Sequence, residues 1–189
     1  MKRRLLLTLA IWMVLGGAGL LALPQAHAQP KYTVSSEKLQ EAVAQKFPMR
    51  YPVGGLLDLT LQTPRLRLLP ELNRLGTEMV VDAAGPALAG SSSGIFDVDF
   101  ALRYEASDQS IRAHKLRVNS LRLSGLPPGP AALLEAYAPA IAGQTLLEVV
   151  VHRLRPQDLM LADGLGLEPG TITVTAKGLV IGFVTKQPR

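Results

Sequence analysis

Apolar and polar positions alternate with period two over most of this chain, so most of it reads as strands with one buried face. Leu57, Leu59 and Leu61 alternate with Asp58, Thr60 and Gln62. Leu66 and Leu68 alternate with Arg65 and Arg67, and Pro64, which cannot donate to a ladder, marks a bulge or an edge. Thr77 to Ala83 follows a turn at Pro70–Asn73, and Gly85 to Gly94 reads as a loop. The clearest row is Phe96, Val98, Phe100, Leu102 and Tyr104, with Asp97, Asp99, Arg103 and Glu105 on the other face. After a hairpin turn at Ser107–Ser110, the return strand changes phase. Ile111 and Ala113 are odd, Leu116 and Val118 even, Leu121 and Leu123 odd again. Each change requires an extra residue, and long bulged strands make a strongly curved sheet. A terminal hairpin joins Thr171–Ala176 to Leu179–Val184.

Period-3.6 segments are fewer. Thr33 to Phe47 reads as an amphipathic helix capped by Ser35 or Ser36 and ended by Pro48, with Leu39, Ala42, Val43 and Phe47 in one stripe. Pro130 to Leu147 is apolar nearly all round, which predicts a helix buried on most sides, with a kink at Pro139. Glu148 to Leu154 reads as a strand and Pro156 to Ala162 as a short helix. The fold expected is α+β, one domain, with a highly curved antiparallel sheet wrapped around the long apolar helix.

The first 28 residues change the picture. Lys2, Arg3 and Arg4 precede an uncharged apolar run, Leu5 to Leu23, and Ala26-His27-Ala28 offers a small-x-small cleavage site. This is the layout of a bacterial secretory signal peptide (residues 1–28), which predicts a periplasmic mature chain, residues 29–189, starting at Gln29. The competing reading is a retained anchor, since 19 apolar residues approach a bilayer span of about 20. Pro24, the Ala-x-Ala site and the polar start Gln29-Pro30-Lys31 favour cleavage. With no cysteine in the chain, a lipid-modified N-terminus and a disulfide framework are excluded.

Cleavage also removes three positive charges, leaving 17 Lys and Arg against 15 Asp and Glu. The remaining cations are scattered along strands, the pattern of a solvated sheet face. Nucleic-acid binding is not expected; the charge pattern is compatible with weak attraction to an anionic membrane surface.

No chemistry-bearing motif stands out. His114 and His152 have no second metal ligand at a useful spacing, and no G-x-S-x-G is present. Asp97 and Asp99 share a strand face roughly 7 Å apart, a spacing near that of a glycosidase pair. The simpler account is the polar face of a strand. Neither a catalytic residue, a metal nor a cofactor is expected. What remains is apolar surface. If a ligand site exists, it lies between the helix and the inward sheet faces, lined by Leu59, Leu61, Phe96, Val98, Phe100, Leu102, Leu116, Val118, Leu134, Tyr137 and Ile141, with the Tyr137 phenol as polar contact. Pattern alone is compatible with a packed core or with such a gap.

Several stretches resemble the YceB-like family of bacterial periplasmic proteins, most of them lipoproteins: Tyr32-Thr33-Val34-Ser35 and its helix, Pro64–Asn73, the hairpin around Tyr104–Ile111, Leu123-Ser124-Gly125-Leu126-Pro127, the apolar helix, Val151–Leu154 and Leu179-Val180-Ile181. The chain departs from that family in lacking the lipobox cysteine. The resemblance implies a fold similar to the tubular lipid-binding (TULIP-type) superfamily, a half-barrel rolled around a helix, and an apolar cavity. Two functions follow as expectations: a non-enzymatic periplasmic binder of a lipid or fatty-acid-like ligand, or an interaction or assembly protein with a packed core and no ligand, using a sheet edge or the Gly85–Gly94 loop.

Overall fold

In the computed structural model, the described residues are 30–186, except 54, 56, 87, 89 and 146–148. The readings of the leader, including its cleavage site, fall outside them. The described chain is α+β and mostly antiparallel, with a curled half-barrel sheet and three helices.

The strands are β1 (Lys31–Ser35), β2 (Met49–Val53), β3 (Leu57–Leu61), β4 (Arg65–Leu69), β5 (Arg74–Ala84), β6 (Ser92–Glu105), β7 (Ser110–Leu123), β8 (Val150–Arg153), β9 (Leu167–Thr175) and β10 (Gly178–Thr185). The helices are α1 (Ser36–Ala44), α2 (Pro128–Thr145) and α3 (Pro156–Gly164). The large sheet runs β2-β3-β5-β6-β7-β8, with β4 also on β5; a smaller sheet runs β1-β10-β9. β3 and β4 lie end to end along β5, separated at Gln62–Pro64, where the sequence placed an interruption.

The phase changes in β7 correspond to two bulges. Asn119 is extra between the pairs Asp97–Ser120 and Val98–Val118, and Lys115-Leu116 together oppose Phe100. Lys115 has φ +48, a left-handed conformation that turns the strand sharply. The terminal hairpin is also present, and longer than expected.

Three elements differ from the sequence reading. Residues 31–35 form β1, not the start of a helix, because Tyr32, Thr33 and Val34 pair with Ile181, Val180 and Leu179, a partner strand almost 150 residues away. The Ser35 side chain makes no cap bond. β2 was not anticipated; it is an edge strand, where Pro52 is tolerated. Ser92–Gly94 belong to β6 rather than to the preceding loop, and Gly94 is required there, since a Cβ would stand 1.8 Å from the Arg122 carbonyl oxygen.

The apolar residues form two cores. One lies between the concave face of the large sheet and α2, and contains Leu59, Leu61, Met79, Val81, Phe96, Val98, Leu134 and Ile141. The other lies between the two sheets, under α1 and α3, and contains Leu39, Leu75, Phe100, Ile111, Leu159 and Ile181. Burial on most sides of α2 is not found. It buries a single stripe, Leu134, Ala138, Ile141 and Ala142, while Ala132, Glu135, Ala136, Tyr137, Pro139 and Ala140 are exposed. Only one side of the helix has a sheet to pack on, so its apolar composition does not translate into all-round burial. No helix among the described residues is long and apolar enough to cross a membrane.

Candidate functional site: the concave sheet face and its helix

Strand alternation places the side chains of the concave face. Leu59 and Leu61 of β3 lie across from Ala83 and Val81 of β5, and Met79 lies across from Phe96 of β6. All are buried, and α2 closes over them with Leu134 and Ile141. Of the eleven residues the sequence singled out, Leu59, Leu61, Phe96, Val98, Leu134 and Ile141 therefore meet in one cluster, with Val118 packed against its rim. Phe100 and Leu102 do not join them. They pack in the other core, because the β1-β10-β9 sheet covers that end of β6. Leu116, at the bulge, touches both clusters. Tyr137 is not a buried phenol. It is 43% exposed on the outward side of α2, one residue out of step with the buried stripe.

Where α2 meets β7 there is a groove of about 280 Å³, lined by Val118, Asn119, Ser120, Leu121, Arg122, Glu135 and Ala138. Its lining is mixed, with Val118, Leu121 and Ala138 apolar and Arg122 and Glu135 charged. Neither Arg122 nor Glu135 carries a sequence signal for this place; they meet the groove because α2 packs beside β7. At the other side of the sheet, the Tyr51 hydroxyl of β2 donates to Gln144 Oε1 at 2.9 Å and ties the end of α2 to the edge strand.

The paired carboxylates are both engaged. Asp97 accepts from Arg67 Nη2 at 2.7 Å and from Asn119 Nδ2 at 3.0 Å. Arg67 is on β4 and crosses β5 at Gly76, where the lack of a side chain leaves room for it. Asp99, expected on a solvated face, is 3% exposed and accepts from Arg74 Nε. Arg74 also donates to the Lys115 carbonyl at the bulge. The strand face is polar, but Arg74 bridges Asp99 to the bulge, and both side chains are nearly buried.

Two carboxamides satisfy strand edges that would otherwise be open. Gln40 of α1 donates to the Pro64 carbonyl at 2.8 Å and accepts from Leu66 N at 2.9 Å. Asn73 donates to the Ile172 carbonyl at 3.0 Å and accepts from Val174 N at 2.7 Å, closing β9. Each side chain takes the place of a neighbouring strand, which blunts edge-to-edge association.

No group of three or more His, Cys, Asp or Glu side chains suited to a metal is found among the described residues. His152 is half-buried on β8, its ring stacked 6.0 Å from that of Tyr32 on β1. Its Nε2 is the one buried side-chain polar atom without a hydrogen-bond partner among the described residues. Burial lowers its pKa below the ordinary value; Asp158 opposes this, and Lys38 and Arg155 reinforce it. The neutral ring is thus the form the fold prefers. A depressed histidine pKa gives stability that is complete above the unfolded value, about 6.5, and is lost as the pH falls below it. We expect the urea midpoint to drop between pH 7.5 and 5.5, and His152→Phe, which keeps the stack on Tyr32, to flatten that drop. An equal drop in both proteins would assign it to other groups.

Compared with known protein families and with curated proteins, the chain matches none.

Proposed function

We propose that this chain is an exported, non-enzymatic protein of the cell envelope that holds a lipid or fatty-acid-like molecule between the curled sheet and α2. One observation carries the reading. The concave sheet face is apolar from β2 to β7, and over its Leu59–Phe96 part it is closed by a helix whose sole charged residue is Glu135. In this reading α2 is the helix around which the half-barrel wraps, and it lifts to admit an acyl chain. Removing apolar chain from water contributes about 25 cal/mol per Å² and needs no polar partner. The α2–β7 groove is the way in. The resemblance to YceB-like proteins and through them to the TULIP-type fold supports the same reading, as does the leader, which would deliver a chain beginning at Gln29 to the periplasm. No cofactor or metal enters the proposal.

A second reading has its own support. The side chains under α2 form one cluster, in which Phe96, Leu59, Leu61, Met79, Leu134 and Ile141 are fully buried. A core filled in this way suits an assembly protein that binds a partner and no ligand. With Gln40 and Asn73 bonded to two of the strand edges, that partner would use another surface.

Probe binding separates the two. Protein purified from the periplasm is expected to carry a lipid mass in native mass spectrometry and to bind cis-parinaric acid. Val98→Trp, which fills the space beneath α2, should abolish binding and leave the melting temperature unchanged. A core without room is instead overpacked by the indole and loses about 1–3 kcal/mol. That loss, together with no probe binding by the wild type, would establish the second reading.

A further inference from the structure

The ligand reading leaves the opposite end of the molecule unused. There α3 buries Leu159 and Ala162 and exposes Met160 and Leu161, at 68% and 70%, and Leu165 just after it is 60% exposed. These three surround an open apolar hollow of about 560 Å³. A cluster of large apolar side chains this exposed marks an interaction surface.

The path of the chain identifies what meets it. β1 is antiparallel to β10, with Lys31 opposite Gly182, so the residues before Lys31 leave the sheet toward Thr185. Thr185 pairs with Leu167, and Lys186 N donates to the Gly166 carbonyl at 2.9 Å, immediately after α3. The first turn of α3 also lies against β1, where Asp158 and Arg155 act on the Tyr32 phenol. The N-terminal segment therefore departs from the end of the molecule that carries the apolar cluster. Seven residues, Pro24 to Pro30, separate that end from the apolar run Leu5–Leu23. Fully extended they span at most about 25 Å. Until the leader is removed, Leu5–Leu23 sits in the bilayer and this end is held against the membrane.

We propose that the α3 end is a membrane-docking face: Met160, Leu161 and Leu165 enter the headgroup layer of a lipid bilayer, where their apolar surface leaves water. Two ion pairs lie beside the cluster, Arg155 with Asp158 at 3.1 Å and Lys186 with Asp163 at 3.0 Å. The face therefore docks through apolar contact and does not select anionic lipid. The proposal is independent of whether a ligand occupies the concave face. Removal of residues 1–28 leaves the face intact but cuts the tether, so apparent affinity falls by about 10²-fold or more.

The chain has no cysteine, so single labels are unambiguous. We would place an environment-sensitive fluorophore at Met160→Cys and, as a control, at Ser124→Cys, at the far end of the β6–β7 pair. The full chain is reconstituted in phosphatidylcholine vesicles containing a nitroxide-bearing lipid. The expected result is several-fold stronger quenching at 160 than at 124. Residues 29–189 should give the same pattern at higher lipid concentration, little altered by anionic lipid. Adding Leu161→Asp and Leu165→Asp should remove quenching at 160 without moving the melting temperature. Equal quenching at both positions, or none at 160, overturns the proposal. So does a concentration-dependent dimer lost in Leu161→Asp, which gives the face to a second copy. A blue shift at 160 without vesicles that vanishes on removing residues 1–28 also overturns it, giving the face to the chain's own leader.

Discussion

Asp99→Ala is expected to lower stability by about 3–5 kcal/mol, although its place on an alternating strand marks it as a dispensable surface carboxylate. The pair it forms with Arg74 is nearly dry, with side chains 5% and 11% exposed. Removing the carboxylate leaves a guanidinium under the β7 bulge with carbonyls as its remaining partners, those of Asp99 and Lys115. Most of the loss comes from that stranded charge, not from the attraction between the two groups. The double replacement Arg74→Met with Asp99→Leu should therefore recover much of the stability, since two apolar side chains strand nothing. Chemical denaturation of the two single variants and the double variant measures this directly. An Asp99→Ala protein within about 1 kcal/mol of wild type would show that the pair is solvated after all.

The residues that were legible and those that were not fall into physical classes. Leu59, Leu61, Phe96 and Val98 declare their face because strand periodicity is local: each side chain's direction follows from its neighbour's. The bulges at Asn119 and Lys115 are legible for the same reason, as breaks in phase. β1 is not, because Tyr32-Thr33-Val34 becomes a strand only through pairing with residues 179–181, and the serines next to it carry a genuine helix-start signal. Asp99 was misread because alternation reports which face a residue is on and not what folds over that face. Phe100 and Leu102 continue the apolar row of Phe96 and Val98, yet they lie under a different layer. Only the placement of the β1-β10-β9 sheet divides the row between two cores. Tyr137 shows the converse: a helix apolar on all sides contains no information about which side is covered. Gln40 and Asn73 had no signal at all, since a carboxamide that completes a strand edge looks, in sequence, like any exposed amide.

Phe100→Asp is expected to abolish cooperative folding. Phe100 is 3% exposed, lies opposite Leu75 on β5, and is the residue that the Lys115-Leu116 bulge straddles. Truncating a buried phenylalanine costs about 3–5 kcal/mol. An unpaired carboxylate there adds several more, whether it stays charged or takes up a proton. The sum approaches or exceeds the 5–15 kcal/mol that holds a typical domain together. Because the core in question joins the two sheets, the loss is not confined to one strand. β1, β9 and β10 part from β6 and β7, and α1 and α3 lose the surface they cover. Ile95→Asp is the matched control: the same strand and the same introduced residue, but a side chain 40% exposed on the convex face. It should cost under about 1 kcal/mol. Far-ultraviolet circular dichroism and limited proteolysis distinguish the outcomes. If Phe100→Asp melts like wild type while Ile95→Asp unfolds, the inward and outward faces of β6 are exchanged. The concave surface proposed to hold a ligand would then be the solvent side of the sheet.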